Sequence, residues 1–363
     1  MAAGARRRVR RGARRRRLPL MAAAVLAAPV LAPLSPWQPP VPPTPPQPVL
    51  RTVLPADQPV TSRPIVAAPP EGTDPQAWNA LMDFRRVQAA AGHPLGQPTS
   101  DISCPASLGA CYQRFRGKVV LWHGPTGARA LRPEVFELWS RRGVGKLGYP
   151  VSSEYAAGED RRTDFQRGSL VWVPRLQRVM EFNPGVEQAA VVVGDSQAGD
   201  RTWIGRGLSQ LGYTPVVRGA GGTGYLNSYA GVDRYETALD SGQWLLPAGN
   251  PPVVVLEGGG NDTAYPDTAI AQAARTMVRD LRQIYPSSTL VMVGVIGDGK
   301  GRRATVDRLL SRVAAEEGVP FISPQDWWKR HKLKLEDGRH LSDAGHAAAA
   351  PVFARELSAV LGR

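Results

Sequence analysis

Cysteine is nearly absent from this 363-residue sequence, and histidine is almost as rare. The two cysteines, Cys104 and Cys111, lie close together in "CPASLGAC", and no cluster of the five histidines accompanies them. A metal site built from these residue types is therefore disfavoured. In an exported protein, a close pair of this kind predicts one small disulfide, with a pair of free thiols as the alternative.

Acidic residues are absent between Arg6 and Arg17, a stretch that holds nine of the 45 basic residues. Without these nine arginines the chain has 36 basic and 31 acidic residues, so most of the net charge of +14 is local. The remaining balance is typical of an ordinary soluble surface and argues against a nucleic-acid-binding protein. The arginine run by itself could contact nucleic acid or anionic lipid.

Charge of either sign is missing from Leu18–Leu34, directly after the arginines. A basic start followed by an apolar stretch predicts an export signal or a signal anchor over residues 1–35. The stretch is short for a membrane-spanning helix and contains three prolines, which favours cleavage over a retained anchor. We expect a secreted or envelope-associated protein whose membrane contact is confined to this segment.

Proline dominates the next segment, residues 36–74, with eight prolines between Pro36 and Pro48. Such a composition favours extended polyproline conformations and acts as a semi-rigid spacer. The spacer would hold the following residues away from a membrane or an export exit.

Residues 75–185 contain an internal repeat. "LGQPTSDI" from Leu95 recurs as "LGYPVSSEY" from Leu147, and "FRGKVVLW" from Phe115 recurs as "FQRGSLVW" from Phe165. Two matches at nearly one period predict two stacked supersecondary units. Each unit reads as a Gly-Pro turn, a loop and a short aromatic strand, with a helix such as "RPEVFELWSRRG" leading into the next turn.

These residues resemble the LGFP repeat of actinobacterial cell-envelope proteins, although Gln97 replaces the motif aromatic in the first copy. The resemblance implies that residues 75–185 bind cell-wall polysaccharide. Exposed aromatic side chains would then stack on sugars. The alternative is that Trp122, Trp139 and Trp172 are core residues of a small domain.

Short apolar runs and amphipathic helical patterns alternate from residue 186 to residue 363. The runs include "AAVVVGDS", "PPVVVLEGGGND" and "STLVMVGVIG", and a long helical pattern, "TAIAQAARTMVRDLRQIYP", separates the last two. This alternation predicts an α/β fold, a doubly wound parallel sheet flanked by helices, preceded by the smaller repeat domain.

Groups that could carry out catalysis follow the predicted strands. Ser196 ends the first strand, the glycine loop "GAGGTGY" from Gly219 ends the second, Asn261 follows the third, and Asp337–His340 precedes the last helix. The carboxyl ends of parallel strands meet at one crevice, so these groups would lie together.

The residue types fit nucleophilic catalysis. A serine hydroxyl needs a base within hydrogen-bond reach, which His340 can provide, and Asp337 can fix the imidazole tautomer. The developing oxyanion needs fixed donors, for which the backbone N–H groups of Ser196 and Gly222 and the amide of Asn261 are candidates.

The four blocks resemble those of the SGNH (GDSL-like) hydrolase family over essentially all of residues 186–363: "GDSQ", "GAGGTGY", "GGND" and "DGRHLSDAGH". The resemblance implies a nucleophile, Ser196, an oxyanion hole that includes Gly222 and Asn261, and a triad completed by Asp337 and His340. The leucine usual after Gly-Asp-Ser is Gln197 here, which alters the expected pocket wall. Gly221 is an alternative to Gly222 as the source of the N–H.

Rival interpretations of the same residues are weaker. "GAGGTG" satisfies a dinucleotide-binding pattern at Gly219, Gly221 and Gly224, but a lone match of this kind is weak evidence. His340, Asp343 and His346 could be imagined as metal ligands, yet they run from a loop into a helix and would not share one face. His331 is another candidate base without a nearby acid in sequence.

We expect a serine esterase that acts on acylated glycans or glycolipids of the cell envelope, with no metal and no cofactor. An acyltransferase would use the same site with a sugar hydroxyl in place of water. A wall-binding protein with a catalytically silent α/β domain is the remaining alternative.

Overall fold

The computed structural model describes residues 69–71 and 73–363. The predicted export segment and nearly all of the proline-rich spacer lie outside the described residues. Within the described part of the chain, no helix is both long and apolar enough to cross a membrane.

The repeat region begins with a helix whose start is set by its capping residue. The Asp74 carboxylate accepts hydrogen bonds from the backbone N–H groups of Gln76 and Ala77, and Pro75 occupies the first turn, where no N–H is required. The helices of this region are α1 (Pro75–Ala90), α2 (Pro133–Arg142) and α3 (Val144–Leu147). The strands are β1 (Cys111–Phe115), β2 (Lys118–His123), β3 (Gly127–Leu131), β4 (Tyr155–Ala157), β5 (Asp160–Phe165), β6 (Gly168–Val173) and β7 (Arg178–Glu181).

Each sequence repeat forms an antiparallel meander rather than a single aromatic strand. The first sheet has the order β1-β2-β3 and the second β4-β5-β6-β7. The two copies also share an isolated antiparallel β-bridge. It joins Pro98 to Phe115 in the first copy and Pro150 to Phe165 in the second. The expected repeat is therefore present in the backbone, with more strands per unit than the sequence pattern indicated.

The aromatic side chains of the repeats serve mainly as core residues. Trp139 is fully buried and donates its indole N–H to Gly148 O at 2.7 Å, and Trp172 is only 5% exposed. Trp122 is half-buried against the smaller core under α1. The sugar-stacking interpretation is therefore wrong for Trp139 and Trp172. The predicted disulfide between Cys104 and Cys111 is confirmed.

The second region is a five-stranded parallel sheet flanked by helices, as the sequence predicted. Its strand order is β12-β11-β10-β8-β9, with every neighbouring pair parallel. The strands are β8 (Ala189–Gly194), β9 (Thr214–Gly219), β10 (Val253–Glu257), β11 (Thr289–Val293) and β12 (Phe321–Ile322). The helices are α4 (Trp203–Gln210), α5 (Tyr235–Asp240), α6 (Asp267–Ile284), α7 (Gly301–Glu316), α8 (Trp327–Arg330) and α9 (Asp343–Val360).

The apolar runs are continuous because the sheet is covered on both faces. One face, which carries Val191 and Val254, packs with the helices α5, α6 and α7. The opposite face, which carries Val192 and Val255, packs with α4, α8 and α9. Alternate residues of one strand therefore enter different cores.

The predicted boundary at residue 185 cuts through a shared core. Val171, Val173 and Met180 of the repeat region belong to the same buried cluster as residues of the parallel sheet. In the other direction, Leu245 belongs to the core of the repeats. The Arg142 guanidinium also donates to Gly242 O. The second repeat and the parallel sheet are therefore packed as one unit.

Candidate active site

Ser196 lies at the carboxyl edge of the parallel sheet, two residues beyond β8. It is partly exposed, whereas its neighbours Asp195 and Gln197 are buried. The turn is held from both sides, because Gln197 N donates to Asp195 Oδ1 at 2.9 Å and Asp195 N donates to Glu257 Oε2 at 3.2 Å. The partly exposed Ser196 therefore lies on a turn that its buried neighbours hold in place.

Asp337 and His340 form a hydrogen-bonded pair before α9. Nδ1 of His340 lies 2.7 Å from Asp337 Oδ2, and Asp337 Oδ1 accepts the backbone N–H groups of Arg339 and His340 at 2.9 and 2.8 Å. The side-chain bond to His340 and then these backbone bonds hold the pKa of Asp337 far below its usual range. The carboxylate is therefore ionised and can hold Nδ1 in its protonated form, which leaves Nε2 free to act as a base.

His340 interacts electrostatically with Asp195, the residue before Ser196. Burial raises the pKa of Asp195, and the backbone N–H of Gln197, Arg303 and, less strongly, His340 oppose this rise. No side-chain hydrogen bond joins Ser196 to His340 among the residues that the structure describes. Such a contact is often long in the absence of substrate and tightens only when substrate binds.

The glycine block runs directly beside Ser196. A Cβ at Gly221 would lie 3.7 Å from Ser196 Cβ, so the exposed backbone of this residue borders Ser196. Gly222 has a φ of +81°, a conformation that L residues rarely adopt, and its carbonyl accepts a 2.6 Å hydrogen bond from Asn227 Nδ2. Both candidate glycines thus lie at the expected edge, with Gly221 next to the serine.

Asn261 also reaches this edge, and its amide is already engaged. Nδ2 donates to Asp195 Oδ2 at 3.1 Å and to Thr223 O at 2.9 Å. The amide nitrogen therefore faces both the nucleophile turn and the glycine block. Because these two bonds use both of its N–H groups, stabilisation of an oxyanion by Asn261 requires the exchange of one acceptor for the oxyanion.

Three further charged or acidic residues lie at the site, and none was predicted from the sequence; Glu257 and Asp262 are buried, and Arg303 is half-buried beside Gly260. Asp262 accepts the backbone N–H groups of Tyr225, Leu226 and Asn227 at 2.8 to 3.1 Å and so anchors the end of the glycine block. Its position beside Asn261 in "GGND" was the available signal. The sequence marks the other two residues less clearly. Glu257 is an acid at the end of an apolar run, and Arg303 is one of several arginines in a helical segment.

Glu257 and Asp195 form a buried acidic pair below the serine. Burial, and next the charge of Asp195, raise the pKa of Glu257 well above its usual range. Glu257 is therefore neutral. Asp195 is the ionised member, because the backbone N–H of Gln197 and the charge of Arg303 stabilise its carboxylate against the effect of burial. A neutral acid beside an ionised one avoids two like charges in a buried site.

The rival residues have structural roles. His346 Nδ1 accepts the Trp203 backbone N–H at 3.3 Å and so satisfies a free donor at the start of α4. Asp343 at the start of α9 forms an ion pair with Arg206 of α4. His331 lies edge-on to Trp327. In the described ranges no group of three histidine, cysteine, aspartate or glutamate residues could hold a metal ion.

The family comparisons agree with the two resemblances. Residues 183–348 match the model of the GDSL-like lipase/acylhydrolase family, and residues 95–146 match the model of the LGFP repeat. The fold and this match define residues 183–348 as an SGNH-type esterase domain. Residues 183–348 form a domain of the GDSL-like lipase/acylhydrolase family, and an LGFP repeat precedes it. The repeat match falls on the first copy, despite Gln97.

No curated protein sequence matches the chain. A family 2 carbohydrate esterase from Corynascus thermopiles (Myceliophthora fergusii) is 17% identical over 51% of this chain and 70% of its own, with a TM-score of 0.41. A family two carbohydrate esterase from Clostridium thermocellum in complex with cellohexaose is 16% identical over 51% and 68%, with a TM-score of 0.41. The M. smegmatis aryl esterase is 18% identical over 47% and 99%, with a TM-score of 0.34.

Proposed function

We propose that the protein is an exported serine esterase that removes O-acyl groups from glycans or glycolipids of the cell envelope. Ser196 is the nucleophile, His340 the base and Asp337 the residue that orients it. The observation that carries this proposal is the 2.7 Å contact between His340 Nδ1 and Asp337 Oδ2, a carboxylate–imidazole pair of the kind that activates a serine nucleophile. The family of the domain supports the same assignment.

Acylation begins when Ser196 Oγ attacks the ester carbonyl carbon and its proton passes to His340 Nε2. The carbonyl π electrons move to oxygen, and the resulting oxyanion is stabilised by the N–H groups of Ser196 and of Gly222 or Gly221, together with Asn261. Collapse of the intermediate breaks the bond to the alkoxy oxygen. His340 returns its proton to that oxygen, and the sugar leaves as a free alcohol.

Deacylation repeats the same steps with water. The oxygen of the water molecule attacks the acyl carbon while His340 accepts a proton from the water. The bond between the acyl carbon and Ser196 Oγ then breaks, and His340 returns the proton to Ser196 Oγ. Throughout, the ionised Asp337 carboxylate stabilises the imidazolium without taking up its proton. The net reaction converts an ester and water into a carboxylic acid and an alcohol.

Two features outside the catalytic residues support the proposal that the protein acts at the cell envelope. The LGFP repeat supports attachment to wall polysaccharide, and its core includes Leu245 of the hydrolase region. The arginine-rich and apolar N-terminal segment supports export. An enzyme held at the wall would encounter acylated glycans as its substrates.

Capture of the acyl-enzyme tests the assignment. An organophosphonate that reacts with activated serines should add one adduct mass to the purified protein, and peptide mapping should place it on Ser196. The His340→Ala variant should react far more slowly because it lacks the base, whereas His331→Ala should react like the wild type. Labelling of a different serine, or equal labelling of both variants, would overturn the proposed triad.

A further inference from the structure

Tyr229 is the one large apolar side chain that is well exposed in the hydrolase region, among the residues that the structure describes. It is 61% exposed, and the other large exposed apolar residues all precede residue 186. A single exposed tyrosine is ordinary on a protein surface. The position of this one is not, because its ring lies against the glycine block.

The ring contacts the backbone that borders the nucleophile. A Cβ at Gly222 would lie 2.6 Å from Cγ and from Cδ1 of Tyr229, so glycine is required there for the ring to approach so closely. The preceding residue, Gly221, faces Ser196. One face or edge of the Tyr229 ring is therefore beside the oxyanion donors, and the rest of the ring remains open to solvent.

The ring is held by a tight turn. Tyr229 and Val232 exchange two backbone hydrogen bonds of 2.9 Å, and Ala230 and Gly231 between them have φ values of 51° and 79°. Positive φ at both central residues is the geometry of a type I′ hairpin. Gln243 Nε2 also donates to Gly231 O at 2.9 Å. The backbone that carries the ring is therefore fixed, so less conformational entropy is lost when a ligand binds to the ring.

The surroundings of the ring are polar. Ser228 Oγ accepts the Arg234 backbone N–H at 2.9 Å, and the Asn227 amide bonds to Gly222 O. An acyl chain would require a continuous apolar lining, which a lone ring in polar surroundings does not provide. A pyranose suits this surface better, because its C–H face can cover an aromatic ring while its hydroxyl groups bond to polar neighbours or water.

We propose that Tyr229 is the stacking platform for the sugar ring that carries the ester, and so determines a preference for acylated pyranosides over simple alkyl esters. The proposal rests on the esterase function proposed above and names the substrate class of the same site. Tyr229 acts on substrate binding and takes no part in proton transfer.

Two esters with the same acyl group test this role: an O-acetylated methyl xylopyranoside and ethyl acetate. Tyr229→Ala should raise KM for the acetylated sugar about tenfold, the factor that corresponds to ~1.4 kcal/mol of binding, with kcat within about twofold. Hydrolysis of ethyl acetate should be unchanged. Tyr229→Phe should retain the wild-type KM because it keeps the ring. The matched control is Tyr155→Ala, which removes an exposed tyrosine that lies in the repeat region and not in the region that carries Ser196.

An equal loss on both esters would show that Tyr229 only shapes the Gly222 backbone, and no change on either ester would show that it does not contact substrate. A binding measurement separates this proposal from the esterase proposal. Calorimetry with Ser196→Ala protein should detect the acetylated pyranoside, and adding Tyr229→Ala should weaken binding about tenfold. Absent or unaltered binding overturns the role of Tyr229, whether or not the wild type hydrolyses esters. Failure of hydrolysis alone overturns the proposed catalysis.

Discussion

Asn261 and Asp195 are joined by a 3.1 Å hydrogen bond from the amide Nδ2 to the carboxylate Oδ2. The residue before the nucleophile thus holds the candidate oxyanion donor, and Asp195 in turn lies over the neutral Glu257. The position of the donor therefore depends on a buried acid that touches neither the serine hydroxyl nor the substrate in the proposed mechanism. Asp195 is a positioning residue in this arrangement.

Replacing Asn261 should lower turnover more than it alters binding. Asn261→Ala removes one oxyanion donor, which typically costs on the order of 10²–10³ in kcat. Asp195→Asn should cause a smaller loss of kcat because it disturbs the orientation of the same amide. The double variant should be no slower than Asn261→Ala, since both changes act through one group. Additive losses in steady-state kinetics would show that Asp195 acts by another route.

Loss of the nucleophile or the base should nearly abolish hydrolysis. Ser196→Ala, His340→Ala and the corresponding double variant should have the same residual rate on a short activated ester, because the two residues act as one unit. Asp337→Asn should also lower turnover by disturbing the tautomer of His340. His331→Ala is the control and should retain activity, with folding of each variant checked by thermal melting. If His331→Ala is inactive and His340→Ala is active, the assigned base is wrong.

Asp307 should make the protein less stable as the pH rises from about 4 to about 6. Burial raises its pKa to about 6, although Ser323 and the backbone N–H of Val295 bond to it. Because the folded state keeps this proton to a higher pH than the unfolded state does, the stabilising contribution is complete below the unfolded pKa and is lost as the pH passes the folded pKa.

Asp307→Asn keeps an acceptor for Val295 and cannot ionise. The free energy of unfolding of this variant, relative to wild type, should therefore increase by up to about 3 kcal/mol between pH 4 and pH 7. Urea unfolding at several pH values measures the difference. A difference that stays constant over this pH range would contradict the raised pKa of Asp307.

The second repeat and the hydrolase sheet should unfold together. Met180 of the repeat region is 2% exposed and packs in the core of the hydrolase sheet. Met180→Ala should destabilise the protein by about 2–5 kcal/mol through the cavity it creates. Tryptophan fluorescence and esterase activity should be lost at the same, lower urea concentration. The exposed Val87→Ala should leave both unchanged. Separate transitions for the two probes would indicate independent domains.

Export should depend on the first 34 residues. The full chain should fractionate with the cell envelope or the medium, and a chain that lacks residues 1–34 should remain inside the cell, because the arginine run and Leu18–Leu34 are the predicted signal. Equal distribution of both chains between the fractions would show that these residues do not direct export.

The sequence by itself determined the class of fold and the order of the catalytic blocks. Continuous apolar runs such as "AAVVV" and "VVVLE" can be satisfied only by strands buried on both faces, and the intervening amphipathic patterns supplied the helices. Ser196, Asn261 and Asp337–His340 could be singled out because each belongs to a short local motif. The repeat period was also readable, since it is a property of spacing alone.

Only the tertiary structure decided which residues support those motifs. Glu257, Asp262 and Tyr229 are distant in sequence from Ser196, and their roles come from contacts with backbone that other segments supply. The same is true at the predicted domain boundary. Met180 of the repeat region packs in the core of the parallel sheet, and Leu245 packs in the core of the repeats. Periodicity shows that a side chain is buried or exposed, but the partner it meets depends on how distant segments pack.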